Sequence, residues 1–317
     1  TDTDTDTDTD TDTDTDRDTD TDIDIGTNTV PDTDTASGQD RTVCALAYHP
    51  RRESQLLASG HADEWVRIWD VGTGQFVRKL GGGKETPEVS KHNGIVGAVV
   101  YSADGDKIAT GCSGGPLKSA VRIWDSSTGE LLQESVQSTT DGHGFHIKSL
   151  AFAPVGGLLI SGSEDFTAIV WELGEPGTPL VQQLRLGDRS FPPNSNKEKG
   201  HIGIVFHVGF AYERSDVPPT EAITGSDDHS IKIWALQGEK HGEKAGTCLR
   251  TIWLSGPASC LSFWPRGDGS YDPHCFIATS GKSIFKIDNS REQCPTLSPR
   301  DLQQFVIFPD LRDKKCE

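Results

Sequence analysis

A five-residue string recurs along this chain and constrains its fold more than any other feature. Val66-Arg67-Ile68-Trp69-Asp70 returns as Val121-Arg122-Ile123-Trp124-Asp125, then in altered form as Ala168-Ile169-Val170-Trp171-Glu172 and Ile231-Lys232-Ile233-Trp234-Ala235. A worn copy is Ile284-Phe285-Lys286-Ile287-Asp288. Apolar and polar positions alternate in most copies, the period-two pattern of a half-buried strand. Ahead of each copy, apolar or small residues fall at i, i+3 and i+5. These are Val43, Leu46, Tyr48; Val96, Val99, Tyr101; Ile147, Leu150, Phe152; Val205, Val208, Phe210; and Ala258, Leu261, Phe263. Between the two strings a short apolar stretch runs into Gly or Ser, as in Leu56-Leu57-Ala58-Ser59-Gly60 and Leu158-Leu159-Ile160-Ser161-Gly162. A vaguer fourth segment follows, best developed at Phe76–Leu80. Four strands per unit, repeated in one order, describe the blade of a β-propeller.

These residues resemble the WD-repeat family over essentially all of residues 41–310. In that family a His after Gly, a Ser or Thr on the second strand, an Asp in the tight turn and the Trp form a hydrogen-bonded set. Such a set satisfies buried polar groups and locks the turn. The third repeat matches throughout with His143, Ser161, Asp165 and Trp171, and the fourth with His201, Thr224, Asp228 and Trp234. In the first, Ser59, Asp63 and Trp69 fit, but Gln39 stands where His belongs. In the second, His92, Thr110 and Trp124 fit; extra residues in Ser113–Ser119 put Lys118 at the Asp position. The fifth keeps Thr279 and loses the other three members.

The expected fold is therefore all-β, a WD-repeat β-propeller of five four-stranded blades with a partial sixth. Trp69, Trp124, Trp171, Trp234 and Ile287 are separated by 55, 47, 63 and 53 residues, against about 40–45 for a minimal blade. Blades are expected at roughly 41–80, 81–132, 133–183, 184–251 and 252–293, with the partial one at 294–317 beginning at Leu302. The family resembles seven-bladed rings most often, so this arc is incomplete by comparison. With no methionine in the sequence, the expectation is a fragment of a longer chain. The alternative is an arc closed by another chain, because open sheet faces are an aggregation hazard.

Charge is distributed unevenly. Residues 1–40 hold fifteen Asp and one Arg, whereas residues 41–317 carry 33 acids and 29 bases. The leader is a Thr-Asp repeat with little apolar surface to offset the entropy of ordering, and disorder is its expected state. Thr1 through Thr13 each have acid at +1 and +3, similar to the site preference of casein kinase two, so a kinase is an expected partner of this tail. Asp20-x-Asp22-x-Asp24 only loosely resembles an EF-hand loop, because the glycine falls one residue late at Gly26 and the twelfth position lacks an acid. A nearly balanced body with an acidic appendage is a poor match for a nucleic-acid backbone. No apolar run approaches membrane-spanning length. Seven cysteines, odd in number and never in a C-x-x-C pair, suggest a reduced intracellular protein, cytoplasmic or nuclear.

No catalytic, metal or cofactor signature emerges. Gly111-Cys112-Ser113-Gly114-Gly115 matches the pattern of a nucleophile elbow, but Pro116 and another strand follow where that motif needs a helix. Gly81-Gly82-Gly83-Lys84 lacks the remaining phosphate-loop residues. His143 and His146 could share a metal only with further ligands, and the resemblance assigns His143 to the structural set. The expected function is a non-catalytic scaffold that presents loops to partner proteins or peptides. The lengthened loops are Gly81–Lys91, Ser113–Ser119 and Gly187–Lys199 on one face, with Ala211–Glu221, Ala235–Thr247 and Pro265–Pro273 on the other. The family uses residues just before the turn Asp as contact points, here Ala62, Glu164 and Asp227, and the two acids favour a basic peptide. A cullin-ligase substrate receptor is a narrower alternative. It resembles this chain less, because Gly72, Ser127 and Gly174 stand where its Trp-Asp-x-Arg motif has Arg. A propeller enzyme would need converging polar residues in the central channel.

Overall fold

In a computed structural model the described residues are 42–81, 91–114, 119–135, 141–188, 200–211, 216–237, 244–265, 271–280, 283–288 and 296–297. The Thr-Asp leader, Gln39, Lys118, Leu302 and most of the lengthened loops lie outside them.

Five antiparallel sheets follow one another along the chain. The first contains β1 (Val43–Tyr48), β2 (Leu56–His61), β3 (Val66–Asp70) and β4 (Gln75–Lys79). The second contains β5 (Ile95–Tyr101), β6 (Lys107–Ser113), β7 (Val121–Asp125) and β8 (Leu131–Glu134). The third contains β9 (Ile147–Phe152), β10 (Leu158–Ser163), β11 (Ala168–Glu172) and β12 (Val181–Leu186). The fourth has β13 (Val205–Ala211), β14 (Glu221–Ser226), β15 (Ser230–Ala235) and β16 (Cys248–Trp253), and the fifth β17 (Ala258–Pro265), β18 (Tyr271–Ser280) and β19 (Ser283–Asp288). Strands pair in sequence order within each sheet.

The fold is the all-β WD-repeat architecture, and the second, third and fourth sheets end two or three residues past the boundaries expected from sequence. Two further details differ from the expectation. The fifth sheet has three strands among the described residues, and β20 (Thr296–Leu297) pairs parallel with Thr251 and Ile252 of β16. It thus extends the fourth sheet's outer edge, where a partial sixth blade was expected. In β18, register places Ala278, not Thr279, at the hydroxyl position: Ala278 lies opposite Leu261 as Thr224 lies opposite Val208.

A bulge accounts for the odd i, i+3, i+5 spacing. Register slips between Val43 and Ala45, Val96 and Ala98, Val205 and His207, and Ala258 and Cys260. One extra residue there converts an odd sequence interval into a single sheet face. A second slip recurs at the tryptophan, between Ile68 and Trp69, Ile123 and Trp124, Val170 and Trp171, and Ile233 and Trp234.

The cores lie between consecutive sheets. Ala58, Val66, Ile68 and Leu80 of the first pack with Val96, Val99, Tyr101, Ile108 and Trp124 of the second, and equivalent layers follow. Glycine on the second strand of each of the first four sheets permits this approach. A Cβ would come within 2.8 Å of the Val96 carbonyl oxygen at Gly60, 2.5 Å of Ile147 Cγ2 at Gly111, 2.8 Å of Val205 Cγ1 at Gly162 and 3.0 Å of Leu261 Cδ1 at Gly225. Outer strands add polar ties to the next sheet. Arg78 donates to the carbonyls of Ser126 and Ser127, and Gln133 at the same register position donates to Thr178. Leu184 holds that position in the third sheet. There a cavity of about 340 Å³ opens among Leu158, Val170, Leu184, Pro219 and Leu236.

Gly60→Ala should lower stability by about 1–3 kcal/mol, because the obstructing atom is backbone. A chemical-denaturation midpoint unchanged from wild type would contradict this packing.

Candidate functional site

Burying a tryptophan between sheets leaves its indole N–H in need of an acceptor. In the third sheet Trp171 Nε1 donates to Ser161 Oγ at 2.8 Å, and Ser161 Oγ lies 2.7 Å from His143 Nε2. His143 Nδ1 is 3.0 Å from Asp165 Oδ2. An ionised carboxylate only accepts, so the proton sits on Nδ1 and the chain runs from Trp through Ser and His to Asp. Asp165 also accepts from Gly144 N at 2.9 Å, Thr167 N at 3.1 Å and Thr167 Oγ1 at 2.7 Å. In the fourth sheet Trp234 donates to Thr224 Oγ1 at 2.8 Å. His201 lies 2.7 Å from that hydroxyl and 3.0 Å from Asp228.

Burial opposes ionisation of Asp165 and Asp228. Their histidines, hydroxyls and backbone N–H groups outweigh it, holding both carboxyls below the usual range. Burial depresses His201, with Asp228 opposing it; burial and then Arg122 hold His92 well below the usual value.

The two divergent sheets show replacements that the repeat pattern alone missed. In the first, Trp69 donates to Ser59 Oγ at 2.7 Å, and His61 Nε2 lies 2.7 Å from the same hydroxyl. Asp63 instead holds Arg67 through contacts of 3.0 and 2.6 Å, both side chains nearly inaccessible. In the second, Trp124 donates to Thr110 at 2.8 Å and His92 Nε2 lies 3.1 Å from that hydroxyl. His92 Nδ1 is buried without a hydrogen-bond partner among the described residues. Cys112 Sγ takes over the acid's backbone contacts: Ala120 N donates to it at 3.4 Å and Asn93 N–H also reaches it. Thr167 and Gly144 give the corresponding N–H groups to Asp165. His61 and Cys112 share one repeat position, two residues after the hydroxyl, which is Ser163 and Ser226 in the regular sheets. A His or Cys at that offset is the signal that could have found them.

These networks hold the turns between second and third strands. Backbone N–H groups of Ala62, Glu164 and Asp227 donate to the carbonyls of Thr42, His146 and Ile204, each at 2.9 Å. The three contact candidates therefore occupy one equivalent place. Two residues further on, Glu64, Phe166 and His229 have φ of 73°, 67° and 66°, a left-handed conformation uncommon outside glycine. Glu164 lies 2.7 Å from Lys148 Nζ and 3.6 Å from His146 Nδ1, whereas Asp227 is exposed and has no ion pair among the described residues. Ser113 donates to the Ile95 carbonyl, and the next described element after β6 is the strand β7, where a nucleophile elbow needs a helix. No group of three potential metal ligands occurs among the described residues, and none of their helices is long and apolar enough to cross a membrane.

Blades joined by antiparallel strands and pinned by a buried indole–hydroxyl–imidazole chain define a class of repeat protein. The family model for the WD domain, G-beta repeat, matches residues 32–70 and 134–172. Over those residues the chain is similar to the WD-repeat family. It is 29% identical to a guanine nucleotide-binding protein subunit beta of Nicotiana tabacum over 62% of this chain and 44% of that protein. It is 27% identical to nuclear distribution protein nudF of Aspergillus niger over 74% and 47%, respectively. It is 29% identical to the chromatin assembly factor 1 subunit FAS2 homolog of Oryza sativa subsp. japonica over 42% and 26%. The chain thus spans less than half the length of these curated relatives.

Cys112→Ala should cost about 1–3 kcal/mol, because it leaves the N–H of the buried Ala120 without its side-chain acceptor, while Cys112→Ser should cost less. Equal denaturation midpoints for the two variants would contradict the acceptor role. Acidification should also weaken the fold. His92 and His201 bind protons more weakly when folded, so stability falls as pH drops below about 6.5, and the two Asp sets add a second loss below about pH 4. Unfolding free energies that stay flat from pH 7 to pH 5 would refute the histidine part.

Proposed function

We propose that this chain is a protein-interaction scaffold whose turns between second and third strands receive a basic peptide. The observation that carries the reading is Asp227, an exposed carboxylate next to Asp228 in a turn held by His201, Thr224 and Trp234. A fixed turn presents its charge with little ordering cost, and one without a competing cation is open to Lys or Arg. Glu164 takes part by exchanging Lys148 for the peptide's cation, and Ala62 contributes a small contact surface at the equivalent turn. The relatives support a general scaffold role, and the chain is proposed to act without catalysis in an intracellular assembly.

The test is binding of a peptide library differing in Lys and Arg content, read by fluorescence anisotropy. Asp227→Asn should weaken the best binder by about two- to tenfold, with the unfolding midpoint unchanged. Neutral peptides binding as well as basic ones, or an unaffected Asp227→Asn variant, would exclude this reading.

A further inference from the structure

One register position on the outer strands ties each sheet to the next. It lies opposite the residue before the tryptophan: Arg78 opposite Ile68, Gln133 opposite Ile123, Leu184 opposite Val170 and Arg250 opposite Ile233. The Arg78 guanidinium crosses to the second sheet and donates to the carbonyls of Ser126 and Ser127, two and three residues after Trp124. Gln133 crosses in the same way to Thr178. Leu184 alone of the four has no donor to offer.

At its junction the cavity of about 340 Å³ opens instead, a size at the lower end of the range of about 300–1,000 Å³ for ligand sites. Leu158, Val170, Leu184 and Pro219 give it an apolar wall. Leu236 and Gln237 also line it, and they follow Trp234 as Ser126 and Ser127 follow Trp124. The two turns are built alike: Leu236 N donates to the Thr220 carbonyl at 2.9 Å, and Ser126 N to the Asp106 carbonyl at 3.0 Å. Gln183 lines the exposed edge, and its side chain donates at 2.9 Å to Glu172, an exposed acid with no ion pair among the described residues. All these residues belong to the third and fourth sheets and the turns beside them, inside the array of five.

We propose that this cavity receives an arginine side chain from a partner protein. Its methylenes pack on Leu158, Val170, Leu184 and Pro219. Its guanidinium donates to the carbonyls of Leu236 and Gln237 as Arg78 donates to those of Ser126 and Ser127, and Glu172 attracts it at the edge. The planar fork of arginine serves two carbonyls at once, which the point charge of lysine does not match. The cavity lies where β15 ends, whereas the Asp227 turn precedes that strand, so either reading can fail without the other.

The probe is capped arginine, Nα-acetyl-arginine methylamide, titrated into the full chain with leucine and valine methyls labelled for NMR. Capped norleucine supplies the stem alone, and capped lysine the charge without the fork. Arginine should shift the methyls of Leu158, Val170, Leu184 and Leu236 saturably and bind at least about fivefold more tightly than either control. Leu184→Arg should abolish this binding, because the chain then supplies its own tie. Glu172→Gln should weaken it about twofold, and Asp227→Asn should leave it unchanged. Norleucine or lysine binding as well as arginine, shifts confined to the Asp227 turn, or no shift at all would overturn the proposal. Undiminished binding to a folded Leu184→Arg variant would do the same, and the methyl map of the unaltered chain decides the matter should that variant not fold.

Discussion

A tryptophan cannot be buried between two sheets without an acceptor for its indole N–H, and this constraint organises the second, third and fourth sheets, while the half-buried Trp69 of the first keeps the same contact. The acceptor comes from a hydroxyl on the neighbouring strand, Ser59, Thr110, Ser161 or Thr224. That hydroxyl has a proton of its own to place, and an imidazole nitrogen lies within 2.7–3.1 Å of it in each case. In the third and fourth sheets the histidine's other nitrogen meets a carboxylate, which gathers the backbone N–H groups of the turn. One buried indole therefore sets the conformation of a turn some distance away, where candidate partner contacts sit.

The other requirement is close approach between sheets. Strands that carry bulky residues on one face can stack only if the facing strand is small at the crossing, which is why Gly60, Gly111, Gly162 and Gly225 recur. Since each core layer is shared by two sheets, no blade contains a complete core of its own. Stability in such an array depends on nearest neighbours.

Much of this was legible before any coordinates. The Val-Arg-Ile-Trp-Asp strings locate third strands because alternation and tryptophan are strong local signals, and the third and fourth hydrogen-bonded sets follow from residue identity and offset. The i, i+3, i+5 pattern was visible, but its cause was hidden because a bulge is a pairing event between strands. The fourth strands were faint, being half exposed and weakly patterned. Thr279 misled because a hydroxyl at the right neighbourhood of sequence says nothing of register, which placed Ala278 there. His61 and Cys112 were missed because their position is outside the four-member set, although Ser163 and Ser226 there accept from the N–H groups of Asp165 and Asp228. Only the geometry showed each reaching the group whose usual partner is absent. Likewise Glu164 and Asp227 look alike in sequence, and it is Lys148 that distinguishes them.

The shared position of His61 and Cys112 bears on how such repeats change over generations. A side chain there can reach the hydroxyl from one side or the turn amides from the other, so it forms a reserve socket beside the main one. A lineage that first acquires a capable residue in the reserve can then lose the original His or Asp at small cost. Reversing the order would pass through a destabilised intermediate. Divergence from the repeat consensus is thus channelled along permitted orders of substitution, and an eroded repeat is compatible with an intact blade.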